Sequence, residues 1–281
     1  MELPNDFQIS VYRNIHTDLK EMTDKECIQH YLKHGQKEGR AYTTRPTFKI
    51  FIYCSGKCGS STLLNTCQSF QPSCFHVHDN YDYLHYAPYQ YMEYKSVFEL
   101  IEASANTHEK IYIIDSYRTP IERKISSFFE NIANHVGNYK ELSIEELIHI
   151  FNDKFLNTLE EYHSIHEVLQ HFQIPFFTAF DYERGYNIVE YKNIVCIKLR
   201  FKDIGNWSNI LSKIFNRPIC LKNSNLTEQK EIFEIYTKFK SLYKVDKKYL
   251  ESMLQNDEEF KIYNNEEERS TYANEWFKKC I

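Results

Sequence analysis

The stretch "FKIFIYCSGKCGSSTLL", residues 48–64, decides how the chain is read. An apolar run of Ile and aromatic residues leads into a Gly/Ser turn, and "SSTLLNTCQSF" (60–70) then reads as a helix. Glycines let a backbone come close to a ligand, and a following helix points free N–H groups and its positive end at the turn. Lys57 adds a cation, and Ser60, Ser61 and Thr62 add hydroxyl donors. A phosphate or sulfate group would suit such a turn, although a plain strand–helix connection has the same outline. The nucleotide-triphosphatase signature GxxxxGK[ST] places its lysine at the end of the loop, followed by a magnesium-binding hydroxyl. Here Lys57 comes early and Cys58 stands where that hydroxyl belongs.

Outward from this loop the chain alternates. Strand-like "SCFHVH" (73–78) precedes helical "YKSVFELIEASA" (94–105), and "KIYIID" (110–115) precedes "TPIERKISSFFENIANHV" (119–136). After a helical stretch over 143–172, "PFFTAF" (175–180) and "NIVCIKLR" (193–200) both read as strands. The pattern predicts an α/β fold with a mostly parallel, P-loop-like sheet flanked by helices, whose ligands sit beyond the carboxyl ends of the strands. Residues 1–45 are expected to form a small helical appendage, with Gly35 as a helix stop and Pro46 marking the boundary; residues 46–281 form the main domain with a helical C-terminal part.

A second signal lies in "DSYRTPIERKISSFFEN" (115–131). Arg118 falls at a strand end, and Pro120 suits the first turn of a helix. Ser126 follows Arg118 by about two helical turns, so both can address one anion. Arg123 and Lys124 add positive potential. A solvated helix start with surface basic residues is the plainer alternative.

Together, a K-x-G-[ST]-[ST] turn after the first strand and an R-x-P-x-E-R-x-x-S segment after a later one resemble the PAPS-dependent sulfotransferases, over residues 47 to about 210. The resemblance implies that Lys57, Cys58, Gly59, Ser60, Ser61 and Thr62 line the 5′-phosphosulfate, and that Arg118 and Ser126 hold the 3′-phosphate. It implies PAPS as sulfuryl donor and no metal. This chain departs at Cys58 and at Ser60–Ser61, where the family more often has paired threonines.

Sulfuryl transfer also calls for a base near neutral pH. In "CFHVHDNYDYL" (74–84), His76 and His78 alternate with apolar residues and share one strand face. The stretch resembles the histidine region of glycan uronosyl 2-O-sulfotransferases, which implies His78 as base, His76 in support, and a carbohydrate hydroxyl as acceptor. A structural histidine pair and a metal-ligand pair lacking a clear third ligand are the alternatives from the residues alone, and Asp79, adjacent in sequence, is a candidate to orient a ring. Tyr81, Tyr83, Tyr86, Tyr89 and Tyr91 are candidate sugar-stacking surfaces, in a chain that holds 22 Tyr overall. Arg200, Lys202 and Lys222 are further basic candidates, and Trp207 reads as core before adenine stacking.

A net charge of −5 argues against broad nucleic-acid binding. No apolar run reaches membrane-spanning length and no secretory signal is visible, so a soluble, cytoplasmic enzyme of bacterial or viral kind is expected. The eight cysteines are scattered without paired CxxC spacing and are expected to be reduced, with zinc disfavoured. Residues 18–42 resemble a short helical element of glycan-modifying proteins from bacteria and large viruses. The competing functions are a P-loop kinase using ATP and magnesium, and a glycan- or nucleotide-binding protein without turnover.

Overall fold

The computed structural model describes residues 3–4, 7–38, 40, 42, 48–71, 73–81, 94–106, 110–156, 163–223 and 231–281. Pro46 and the tyrosines Tyr83, Tyr86, Tyr89 and Tyr91 lie outside the described residues. The centre of the molecule is a five-stranded sheet in the order β2-β1-β3-β5-β4. Its strands are β1 (Phe48–Tyr53), β2 (Cys74–Val77), β3 (Lys110–Tyr117), β4 (Asn187–Tyr191) and β5 (Ile194–Arg200). All pair in parallel except β4, which runs antiparallel along the edge of β5.

The expected strand at 175–180 does not form. That segment is an extended connection with Phe176 52% exposed, and the fifth strand is β4, which the sequence reading passed over. β4 turns into β5 through Lys192, which adopts φ 55°, so a two-residue reversal replaces the longer parallel crossover.

The helices divide between the two sheet faces and a separate layer. Near the N-terminus, α1 (Ile9–Ile15) and α2 (Asp24–His30) pack around Tyr12, Leu19, Cys27, Tyr31 and Tyr42. Gly35 does not stop a helix as expected: the helical path continues through Gln36–Glu38. Its missing side chain serves packing instead, because a Cβ there would strike the Tyr12 hydroxyl. In the main part, α3 (Ser60–Gln68) covers one face of the sheet, and α4 (Val97–Asn106) covers the other.

The longer of the remaining helices follow in order. They are α5 (Pro120–Glu130), α6 (Ile144–Phe151), α7 (Ile165–His171), α8 (Trp207–Ile214), α9 (Phe233–Leu242), α10 (Lys247–Asn256), α11 (Glu258–Tyr263) and α12 (Glu266–Phe277). Alternation along β1 explains the layering: Ile50 and Ile52 face α3 and α8, whereas Phe51 and Tyr53 face α4 and α7. A second apolar core joins α5, α6, α9, α10 and α12.

The connection from β1 reaches β2 on one side, and the chain then crosses back to place β3 on the other side of β1. A ligand crevice is expected where the direction of winding reverses, outside the carboxyl ends of β1 and β3. Beside it, β3 and β5 are joined by a fully buried ion pair, Lys198 Nζ to Asp115 Oδ2 at 2.7 Å. Asp115 also accepts from the backbone N–H of Ser116 and of Ile165, while Lys198 reaches Glu259 at 3.4 Å. Burial opposes the charge on Lys198, yet Asp115 and Glu259 hold its pKa above the ordinary lysine value. Removing one partner strands buried charge. Lys198→Ala should therefore lower the unfolding free energy by about 3–5 kcal/mol in urea titrations, and a loss below about 1 kcal/mol would show that the pair is dispensable.

Candidate functional site

At the carboxyl ends of β1 and β3 lie the loop 54–59 and Arg118. Two loop residues adopt left-handed backbone, Lys57 at φ 69° and Gly59 at φ 87°. That conformation is uncommon for lysine. It accompanies a specific contact: Arg118 Nη1 donates to the Lys57 carbonyl at 2.8 Å. The Arg118 guanidinium also lies over the Phe201 ring, 4.5 Å from its centre.

Phe201 and Trp207 back the other side of the loop. A Cβ added at Gly59 would lie 2.8 Å from the Trp207 ring and 3.0 Å from that of Phe201. Trp207 is completely buried and donates to the Arg200 carbonyl, so it is a core residue that supports the loop. Gly59 is also the N-cap of α3 and has no side chain to satisfy the first N–H groups of the helix. Those donors face the crevice end of the sheet, as an anion requires.

The loop's other residues divide by burial. Ser60 and Thr62 are 5% and 4% exposed, and Ser61 is half-buried, so Ser61 offers the most accessible hydroxyl of the three. Cys58 is fully buried, which limits its part in lining a ligand to the backbone. The hydrogen bond from the Cys54 thiol, followed by the charges of Arg123 and Lys198, draws Cys58 below the usual thiol range. Burial pushes Cys54 well above that range. Arg123 and Lys198 thus act on the base of the loop through their field. Arg123 and Lys124 are each 8% exposed, and Lys124 reaches the Phe155 carbonyl, so neither is a solvated surface residue.

Lys57 is held by a residue the sequence reading did not single out. Its Nζ lies 2.9 Å from Glu130 Oε2, with the two side chains 18% and 31% exposed. Glu130 follows Ser126 by one turn of α5, so the two share a helix face. This contact brings the Ser126 face of α5 to the loop. No local signal distinguished Glu130 from an ordinary surface glutamate.

The histidines gather on the α3 side of β2. The rings of His76 and His78 lie 4.6 Å apart, and His78 Nδ1 is 2.7 Å from the Cys54 carbonyl at the start of the loop. A carbonyl only accepts, so Nδ1 carries the hydrogen and the neutral ring keeps its basic lone pair on Nε2. Asp79 Oδ1 instead accepts from the Tyr81 backbone, a turn contact. On the opposite face, Tyr53 donates to Glu167 Oε2 at 2.5 Å, and Glu167 Oε1 meets His163 Nδ1 at 2.7 Å. Burial and then Glu167 raise the Tyr53 phenol well above its ordinary value. No local pattern signals this chain, because Tyr53 lies 114 positions before Glu167.

Of the later basic candidates, Arg200 and Lys202 are otherwise engaged. Arg200 is 6% exposed, bonded to Asp203 and Glu268 and laid over Phe180 and Tyr182, while Lys202 pairs with Glu268. Both residues fasten α12 to the end of β5. The Lys222 backbone N–H donates to Thr66 Oγ1. Among the described residues, no group of three or more His, Cys, Asp or Glu could hold a metal ion, and no helix is long and apolar enough to cross a membrane.

The loop offers an anion a helix N-terminus, a cation and a braced arginine, and Glu130 opposes it. Comparison with protein-family models, with curated proteins and with solved structures found no match to this chain.

The close approach at Gly59 has a measurable consequence. Gly59→Ala combines an unfavourable left-handed backbone with a clash against Trp207 and should destabilise by about 1–3 kcal/mol. Gly56→Ala, whose Cβ would meet nothing within 4 Å, is the control and should stay within about 1 kcal/mol of wild type in the same denaturant titration. Equal losses at both positions would refute the packing account.

Proposed function

We propose that this protein is a PAPS-dependent sulfotransferase that moves a sulfuryl group to a hydroxyl of a carbohydrate acceptor, on a P-loop-like sheet. One observation carries the proposal. Arg118, at the end of β3, donates to the backbone of Lys57 in the loop after β1, so the two motifs behind the family resemblance meet at the reversal of the sheet. β1 and β3 are parallel neighbours whose carboxyl ends adjoin in any case, and what the contact adds is that Arg118 itself braces the Lys57 backbone.

The roles follow from the donor chemistry. The α3 N-terminus and the Ser61 hydroxyl would bind the 5′ side of the cofactor, with the Gly59 backbone shaping the approach. Arg118 and Ser126 would take the 3′-phosphate. Arg118 already gives one nitrogen to the loop, and a guanidinium has further donors for an anion. PAPS supplies an activated sulfuryl group, and Lys57 would stabilise negative charge that develops on its departing phosphate oxygen. His78 Nε2 would accept the proton of the acceptor hydroxyl while Nδ1 stays anchored on the Cys54 carbonyl, and His76 would support the acceptor side.

A kinase acting through magnesium is less well supported, because the side chain after Lys57 is the buried thiol of Cys58 and no hydroxyl is offered at that position. The carbohydrate acceptor rests on the His76–His78 pattern, whose rings meet edge to face, with His78 on the Cys54 carbonyl at the start of the loop.

Adenosine 3′,5′-bisphosphate at about a hundred times its Kd should raise the melting temperature by roughly 4–8 °C. ATP with magnesium should not, and Arg118→Ala should abolish most of the rise; stabilisation by ATP–magnesium alone would overturn the proposal. His78→Ala should leave that thermal shift within about 1 °C and reduce sulfate transfer from labelled PAPS to a glycan panel by roughly 10²–10⁴-fold. Undiminished transfer would mean that the base lies elsewhere.

A further inference from the structure

The Lys57–Glu130 ion pair is not explained by helix stability. Glu130 is the last residue of α5, where the negative end of the helix dipole disfavours a carboxylate. Its partner is Lys57, which the loop presents from a left-handed backbone, and the two charged groups meet at 2.9 Å in a partly buried setting. The carboxylate therefore occupies the cation that an anion at the loop would use. An incoming phosphate or sulfate cannot share Lys57 with Glu130 without bringing like charges together.

We infer that Glu130 is a resident competitor that sets the affinity threshold of the anion loop: a ligand binds Lys57 only by displacing the carboxylate. The cost of displacement is common to every anion that uses Lys57. A single-point anion such as inorganic phosphate has little else to offset it. A ligand that also engages Arg118 and the Ser126 face of α5 gains elsewhere and tolerates the cost. The shared cost leaves the ratio of affinities unchanged but lowers them all, so only a ligand with a second anionic group still binds tightly enough to occupy the loop. Ser126 and Glu130 lie one turn apart on the same face, so displacement of the carboxylate also opens the surface beside Ser126.

This inference rests on the loop being an anion cradle, and it uses the sulfotransferase reading only to choose the bisphosphate probe. The test is calorimetric binding of inorganic pyrophosphate and of adenosine 3′,5′-bisphosphate to wild type, Glu130→Gln, Lys57→Gln and the double variant. Glu130→Gln keeps the shape and removes the charge, and should tighten both ligands by a similar factor, about three- to tenfold. In the Lys57→Gln background, the same substitution should gain less than twofold. Should Glu130→Gln fail to fold, Glu130→Asp serves instead, with a shorter reach to Lys57 and a smaller gain in the same direction.

Unchanged or weaker binding by Glu130→Gln would overturn the inference. So would an equal gain with and without Lys57, which would mean only general repulsion between Glu130 and the ligand. Absence of binding by both probes in every variant would overturn it as well. If Glu130→Gln tightens pyrophosphate and the bisphosphate binds to no variant, the competitor role stands and the sulfotransferase reading falls.

Discussion

The buried pair of Asp115 and Lys198 fixes the part of the molecule on which the candidate site stands. It joins β3 to β5 at their carboxyl ends, in register, with both side chains fully shielded from water. Asp115 also receives the first backbone N–H of α7, and Lys198 reaches Glu259 at the start of α11. Three residues beyond Asp115 is Arg118, and three residues beyond Lys198 is Phe201. The stacking of that arginine on that ring follows from strand ends held level by the ion pair. A buried pair of this kind contributes little net stability over an apolar pair, but it tolerates neither loss of a partner nor a slip of register.

From this anchor the loop is braced on two sides. Phe201 and Trp207 press against the backbone at Gly59, and Arg118 holds the carbonyl of Lys57. Lys57 keeps its left-handed backbone within this frame, an example of local strain sustained by surrounding contacts at a site. The electrostatics follow the same plan. The protein carries a net charge of −5, yet Lys57, Arg118, Arg123 and Lys198 converge near one loop. Carboxylates accompany them, Glu130 on Lys57 and Asp115 and Glu259 on Lys198, so the proposed anion site depends on local arrangement and not on overall charge.

Much of the fold was legible in the sequence. The strands at 48–53, 74–77 and 110–117 lie in apolar runs that helices separate, and residue type alone marked them. The edge strand β4 was not legible. "NIVEY" is short and partly exposed, and the neighbouring "PFFTAF" offered a stronger apolar signal. That signal came from Phe177 and Phe180, which are buried by packing without any ladder of backbone hydrogen bonds. Burial and strand pairing are different constraints, and apolar character reports only the first.

The sequence by itself determined the strand–loop–helix order, the positions of Lys57, Gly59 and Arg118, and the shared strand face of His76 and His78. These depend on residue type and on short-range periodicity, which the chain carries locally. Only the tertiary structure decided what those residues touch. It set Lys57 against Glu130, braced Gly59 with Trp207, turned Arg200 toward Glu268, and joined Tyr53 to Glu167 and His163. Each of these contacts joins residues distant in sequence, and their geometry depends on strand order and register across the whole sheet. No local pattern encodes that order, so the partner of a charged side chain becomes known only when the sheet is assembled.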